Sequence, residues 1–336
     1  MNIAVDAMGG DHAPDVVVQG ALMAASETDM SVTLVGEDQA IRKALRGREP
    51  GGGIEIHPCS EHVLMEDSPL KAIRRKPDAS IRVAFELVRD GEADAVVSAG
   101  NSGATLAAGL LTLGRVKGVD RPALASMFPG RRGEVILIDV GANVDCRPVH
   151  LLQFGVMAQA FATSCLGMMN PGVGLLSIGE EGGKGNEQVK SAYRLFEKSS
   201  LNFKGNVEGR DLFSGDVEII VCDGFVGNVS LKVAEGLAEA MGGMLKKELM
   251  RTLPGKLGLR LGKTAFQRLF DRLDYETYGG APILGINGIG LVCHGSSSPR
   301  AVKNGVKRAA EYVSKGFREK LSLRMAEFDA GLARAS

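Results

Sequence analysis

The 336-residue chain lacks several features that would assign it at once. It has no excess of charge of one sign: 40 Lys and Arg balance 40 Asp and Glu. That argues against a nucleic-acid partner, since such binders carry a basic footprint. Cysteine is sparse, with five residues at 59, 146, 165, 222 and 293 and no C-x-x-C pair. A disulfide framework is therefore not expected, and a reducing, cytoplasmic setting is. No run approaches the roughly 18 apolar residues of a membrane span, and no basic-then-apolar leader precedes the first strand-like run, so neither a span nor a signal peptide is expected. There is no H-E-x-x-H and no cluster of Cys and His, which leaves a metal centre without ligands. No G-x-G-x-x-G follows the first strand, and Walker A spacing is absent.

Glycine, by contrast, is plentiful. The chain has 45 Gly beside 12 Pro and no low-complexity repeat, so the excess over the usual ~7% belongs to turns and close approaches. Short Val- and Ile-rich runs at 2–5, 32–35, 54–57, 95–97, 135–140, 173–178, 219–222 and 290–293 read as strands. Helical spacing fills 14–25, 81–89, 105–113, 227–250 and 300–325. Strands alternating with helices predict a layered α/β fold with a largely parallel sheet. Ligands of such sheets bind at the carboxyl ends of the strands, and there the Gly, Asn and Asp loops fall.

Each of these loops offers candidates. In 6–14, Gly9 and Gly10 permit a tight turn beside Asp6, Asp11 is placed to cap the next helix, and His12 lies in its first turn. In 98–105, Asn101 and Ser102 face a ligand while Gly100 and Gly103 clear space. In 139–145, Asn143 and Asp145 offer polar contacts, or simply form the turn. The loop 179–186 frames Lys184 with Gly183 and Gly185 and ends on Asn186. Arg210 is a second phosphate donor, or a surface ion-pair partner of Glu208 or Asp211. Asp223 opens 223–228, with Gly224, Gly227 and Asn228 at a helix start. Gly279, Gly280 and His294 come late. Backbone N–H groups at helix starts bind anions, so loops of this kind predict one cleft for a phosphate-bearing species. Cys222 near His294 would mimic a Cys–His acyl-transfer pair, although a Cys at a strand end is more often a small buried hydrophobe.

Two surface features stand apart. Between 246 and 272 there are eight basic and two acidic residues, with Leu249, Leu253, Leu257 and Leu261 four apart. Pro254-Gly255 divides the stretch into two helices. This basic amphipathic hairpin either lies on an anionic membrane or covers a dimer or core face. Lys71, Arg74, Arg75 and Lys76 form a compact basic patch on a predicted helix.

Taken together, DAMGGDHAP at 6–14, SAGNSGAT at 98–105, DVGANVDC at 139–146, the Lys184-Gly185-Asn186 loop, GNVEGRD at 205–211, CDGFVGN at 222–228 and YGGAPILGINGIGLVCHGSS at 278–297 resemble the bacterial phosphate acyltransferase family. These are the acyl-acyl-carrier-protein:phosphate transacylases of phospholipid synthesis. The resemblance runs through nearly the whole chain in the same motif order. It implies a three-layer α/β/α sandwich of the isocitrate/isopropylmalate dehydrogenase type with a mixed sheet. Residues 1–336 would form one catalytic unit of two interlocked lobes, from which a helical hairpin at 246–273 protrudes. It also implies transfer of a long acyl chain from carrier-protein thioester to inorganic phosphate, without metal or organic cofactor, by a homodimer peripheral to the membrane. The acyl phosphate would feed a membrane glycerol-3-phosphate acyltransferase.

Under that reading phosphate is gripped by loop N–H groups with Lys184 and Arg210 and attacks the thioester directly. Asn101 or Asn228 would stabilise the oxyanion, and His12, Asp223 or His294 would handle protons. The basic patch at Lys71, Arg74, Arg75 and Lys76 would dock the acidic acyl carrier protein. Rival readings are an NAD-linked β-decarboxylating dehydrogenase, a coenzyme A-dependent phosphate acetyltransferase and a non-catalytic membrane scaffold. The first requires a metal carboxylate set and a nucleotide loop that the sequence lacks.

Overall fold

The computed structural model describes residues 1–48, 52–266 and 279–335. The first half alternates strand and helix. In order come β1 (Asn2–Asp6), α1 (Asp15–Glu27), β2 (Ser31–Gly36), α2 (Asp38–Ala44), β3 (Ile54–Pro58), α3 (Pro69–Arg75), α4 (Ser80–Arg89), β4 (Ala95–Ser98), α5 (Ser102–Leu113), β5 (Ala123–Pro129) and β6 (Glu134–Ile138). Then follow α6 (Pro148–Cys165), β7 (Val173–Leu176), α7 (Glu187–Glu197), β8 (Phe203–Val207), β9 (Ile219–Val221), α8 (Gly224–Met250) and α9 (Leu253–Leu261). The chain closes with β10 (Ala281–Leu284), β11 (Gly290–Val292), α10 (Pro299–Ser314) and α11 (Phe317–Ala335).

Among the described residues the strands form one sheet in the order β3-β2-β1-β4-β11-β10-β5-β6-β9-β7-β8. Strands β3, β2, β1, β4 and β11 run parallel. Strand β10 opposes β11 and β5, and β5 opposes β6. Beyond them β6, β9, β7 and β8 are again parallel. The sheet is therefore mixed, two parallel blocks of opposite direction joined through β10 and β5. Its central strands are buried on both faces, so Ala95–Ser98 and Ile219–Val221 are apolar throughout or nearly so. Two clusters of buried apolar side chains cover the two faces. One is centred on α1, α6 and α10, the other on α4, α5 and the residues around β9.

Several elements differ from the sequence expectation. Three strands, β5, β8 and β10, were not evident: β5 has Ala, Ser and Met where β-branched residues would announce a strand, β8 contains Gly205-Asn206, and Pro282 interrupts β10. The helix expected over 300–325 is two helices, because Gly316 adopts φ +62° between them. Asp11 does not cap α1. That helix starts at Asp15 with Pro14 in the capping position and no side-chain cap bond, since the turn 10–13 carries the chain away first. In the hairpin, α8 runs to Met250 and the break comes at Arg251–Thr252, not at Pro254. Pro254 sits in the first turn of α9, where its missing N–H is no loss, and Thr252 Oγ accepts from Gly255 N at 3.1 Å. The part of the hairpin at 267–273 lies outside the described residues.

Candidate active site

The loops after β1, β4 and β11 meet through their backbones. Gly9 lies so close to Asp6 and to Gly100 that a Cβ there would stand 2.8 Å from Gly100 N. Gly10, at φ +116°, faces Ala99 and Gly295. Asp11 N donates to Gly295 O at 2.8 Å, which holds His12, itself exposed, beside the loop that follows β11. Asp6 is buried beneath them and accepts from Ser80 Oγ at 2.6 Å and Ser98 Oγ at 2.7 Å. Burial raises its pKa despite these donors. Asn101 caps α5 by accepting from Ala104 N, and its Nδ2 donates to Met65 O and Asp67 O. Gly103 allows Pro69 of α3 to pack on that first turn. Asp6, Gly9, Gly10, Asn101 and Gly103 thus shape the site from behind.

The opposite wall is the start of α8. Asp139, fully buried at the end of β6, accepts from the backbone N–H of Leu124, Gly141, Ala142 and Asn143. Asn143 Nδ2 donates to it as well, and also to Pro122 O. Burial still raises the Asp139 pKa. Gly224 N donates to Asn143 O at 2.7 Å, and Gly227 presses on Asp139 O so closely that a Cβ would overlap it. The glycines of Asp223–Asn228 are needed to seat α8 on this buried carboxylate, and Asp223 caps the helix by accepting from Val226 N at 2.9 Å.

Between these walls lies a cleft of about 250 Å³, lined in part by Ser102, Asn228, Gly279, Gly280 and His294. Gly279 and Gly280 have φ of +75° and +107°, and Gly280 allows close approach to Val292 O. Residues that sequence reasoning missed line it too: Lys232, Glu235, Gly141 and Ser297. Lys232 was legible in principle, since it follows Asn228 by four residues and so shares its helix face. Its Nζ lies 2.9 Å from His294 Nε2 and 2.8 Å from Glu235 Oε2. The other ring nitrogen, Nδ1, faces Ser296, 2.8 Å from its Oγ and accepting from its backbone N–H at 3.3 Å. Two helices, α5 at Ser102 and α10 at Pro299, begin at this cleft, and α8 lines it beyond its first turn, from Asn228 to Glu235. The positive ends of α5 and α10 favour an anion there.

The loop 179–186 is elsewhere. Gly185 and Asn186 line a second hollow together with Asp223. Asn186 caps α7 by accepting from Val189 N. Lys184 is exposed, with no side chain within 4 Å of the space beside Gly183. Arg210 ion-pairs with Glu208 at 2.9 Å and Glu180 at 3.3 Å. Neither Lys184 nor Arg210 lines the cleft. Of the basic patch, Lys71, Arg74 and Arg75 are exposed on α3, whereas Lys76 is tied to Asp67 at 2.6 Å. Among the described residues no group of three or more His, Cys, Asp and Glu is placed to hold a metal.

A family model described as fatty acid synthesis protein matches residues 1–320. A phosphate acyltransferase of Geobacter sulfurreducens is 51% identical over 98% of this chain and 96% of its own length. One from Nitratidesulfovibrio vulgaris is 53% identical over 95% and 93%. The chain belongs to the phosphate acyltransferase family. Among solved structures, a phosphotransacetylase from Streptococcus pyogenes covers 94% of each chain with TM-score 0.61 at 17% identity. The EutD phosphotransacetylase from Staphylococcus aureus covers 93% of this chain and 94% of its own, with TM-score 0.58 at 18% identity. At that identity the likeness is one of fold. It extends to the mixed α/β sheet and its flanking helices expected of the family.

Proposed function

We propose that this chain transfers a fatty acyl group from the thioester of an acyl carrier protein to inorganic phosphate, giving an acyl phosphate and the free carrier thiol. One observation carries the assignment to this cleft: two helix N-termini meet there with the Lys232–His294 pair. Phosphate is an anion small enough for the site, and it is itself the nucleophile. One phosphate oxygen attacks the thioester carbonyl, a C–O bond forms, and the carbonyl oxygen becomes an oxyanion. N–H groups at the start of α5, the Asn228 side-chain amide and the Lys232 ammonium favour that charge over water's weaker, unorganised dipoles. Collapse breaks the C–S bond. The thiolate, with a thiol pKa of about 8.5, takes its proton from the His294–Lys232 pair or from solvent.

The cysteines fit this direct route. Cys222 is buried, and desolvation pushes its thiol well above the ordinary value. Cys293 is likewise pushed up to about 12 by burial. Neither is a thiolate at neutral pH, so neither is prepared to take the acyl group first.

The finer readings belong here as well. Lys184, next to Gly185 of the second hollow, and Asp223, which lines that hollow, are candidates for phosphate capture and proton transfer. Lys71, Arg74 and Arg75 dock the carrier protein. The exposed Val229, Val233, Leu237, Met241 and Met244 on α8 and Leu253, Leu257 and Leu261 on α9 support contact with a second copy and an anionic membrane surface. From that surface the product passes to a membrane glycerol-3-phosphate acyltransferase. Among the described residues no helix is long and apolar enough to cross a membrane.

The test is thiol release from palmitoyl carrier protein with and without phosphate, repeated with palmitoyl and acetyl coenzyme A. Phosphate-dependent release, with carrier protein preferred, is expected. Release only from short-chain coenzyme A esters would move the chain to the acetyltransferase class. Lys232→Ala should lower kcat/KM for phosphate by about 10²-fold, the scale for losing one positioned oxyanion donor. Unaltered kinetics would remove Lys232 from the site.

A further inference from the structure

A carboxylate stands where the cleft is built for an anion. Glu235 lines the cleft with Asn228, Lys232 and His294, and its side chain is only 19% exposed. Its Oε2 lies 2.8 Å from Lys232 Nζ, which in turn lies 2.9 Å from His294 Nε2. Among the described residues Oε1 has no hydrogen-bond partner. Holding Lys232 occupies one carboxylate oxygen and leaves the other to meet whatever enters. A fixed negative charge here repels a fully ionised oxyanion. The repulsion is relieved when the anion brings a proton, because two acids this close share one hydrogen between them. Phosphate at neutral pH keeps a P–OH group. Sulfate, a tetrahedral oxyanion of similar size, keeps none.

We propose that Glu235 accepts the hydrogen bond of the phosphate's own hydroxyl, so that the cleft selects phosphate over proton-free oxyanions, and that Glu235 takes this proton as the acyl phosphate forms. The proposal rests on the acyl transfer argued above and accounts for its proton. A C–O bond forms between the thioester carbon and an unprotonated oxygen of hydrogen phosphate, and the C–S bond breaks. Hydrogen phosphate arrives with one proton, and the thiolate departs lacking one. Acylation draws electrons from the phosphoryl group and makes its remaining hydroxyl more acidic, so that proton passes to Glu235. The thiolate is protonated by the His294–Lys232 pair, and Glu235 returns the proton to the pair through its contact with Lys232 Nζ. Thioester and hydrogen phosphate thus give the acyl phosphate dianion and free thiol, with no net proton drawn from water. Lys232 alone would attract any anion. With Glu235 three residues further along the same helix face, the pair attracts one that carries a hydrogen and repels one that does not.

The experiment measures Kd for phosphate and for sulfate at pH 7 by titration calorimetry, using the full chain and the variants Glu235→Gln and Glu235→Ala. Calorimetry keeps the readout independent of activity, and circular dichroism checks that each variant is folded. The wild-type chain should prefer phosphate by at least about tenfold, since a site that accepts a hydrogen bond from a ligand hydroxyl rejects the analogue lacking it. Glu235→Gln puts an amide donor where only an acceptor stood, and should narrow the preference by about tenfold or more, with sulfate binding more tightly than before. Glu235→Ala removes the repulsion and should narrow it too, which keeps the test open if one variant fails to fold. A wild-type chain that binds neither anion, or both equally, overturns the proposal. So do folded variants in which both Kd values move together and the ratio stays, because Glu235 would then only position Lys232. A wild-type chain that selects phosphate but releases no thiol from palmitoyl carrier protein overturns the acyl transfer and leaves the selection of the anion by Glu235 standing.

Discussion

At the scale of the residue, the site divides into groups that face the substrate and groups that hold them in place. Most glycines and polar residues legible in the sequence belong to the second kind. Asp6, Asn143 and Gly227 stood out because a buried carboxylate, its donors and a missing Cβ leave a clear pattern of Asp, Asn and Gly after a strand. What the pattern could not show is direction. Asn143 turns inward to Asp139 and Pro122 O, whereas Asn228, in a similar setting, turns to the cleft. Lys232 was hidden because a lysine inside a long helix is ordinarily solvated, and only the fold brings it to His294. The cysteines permit a sharp prediction. Cys293 is a buried small hydrophobe, so Cys293→Ala should keep kcat within about threefold of the parent, at a stability cost of about 1 kcal/mol for the lost packing. Trapping an acyl-cysteine by mass spectrometry would contradict it.

At the scale of the element, α1 and α10 deserve to be considered as a pair. Each leaves a loop of the cleft, and they pack on each other through Gly20, whose missing Cβ admits Val302. At the end of α1, Glu27 bonds Lys303 at 3.0 Å and Lys307 at 3.1 Å, from the second and third turns of α10. Those two hydrogen bonds hold the Glu27 carboxyl below its ordinary pKa. A carboxyl depressed in the fold adds stability above its unfolded pKa and loses it as pH falls through the folded value. Glu27→Gln should therefore lower Tm at pH 7 by a small, salt-sensitive amount, and the difference should vanish near pH 3. Thermal melts at the two pH values measure this; a difference that persists in acid would mean the clamp is not ionic. Helices α4 and α10 were legible because they carry strong three- and four-residue apolar spacing, whereas α6, buried on nearly every side, carries no such stripe and was not placed. Strand β8 escaped because Gly205 and Asn206 are turn residues by habit, and here Asn206 Nδ2 donates to Glu181 O to brace the glycine loop.

At the scale of the whole molecule, the basic helix α3 abuts the cleft. Pro69 packs on Gly103, and Asn101 reaches back to Met65 O and Asp67 O. A carrier protein seated on Lys71, Arg74 and Arg75 would thus have its thioester arm near the start of α5. The double variant Arg74→Glu/Arg75→Glu should raise KM for acyl carrier protein by about tenfold or more, leave KM for phosphate within about twofold, and flatten the salt dependence of the reaction. Steady-state kinetics at two ionic strengths decide it. The alternation of strands and helices made the α/β class legible, but not the reversal in the middle of the sheet. That reversal depends on which strands pair over long sequence separations, and local spacing carries no record of it.

That pairing has a consequence for how the polypeptide acquires its shape. Strands β10 and β11, made last, lie between β4 and β5, made much earlier. Until residue 292 or so has been synthesised, β4 and β5 each present a bare hydrogen-bonding edge, the kind that recruits foreign strands. The two blocks can therefore be joined only after that point in translation, and a chain shortened before β10 would lose the seam that unites them, not merely its tail.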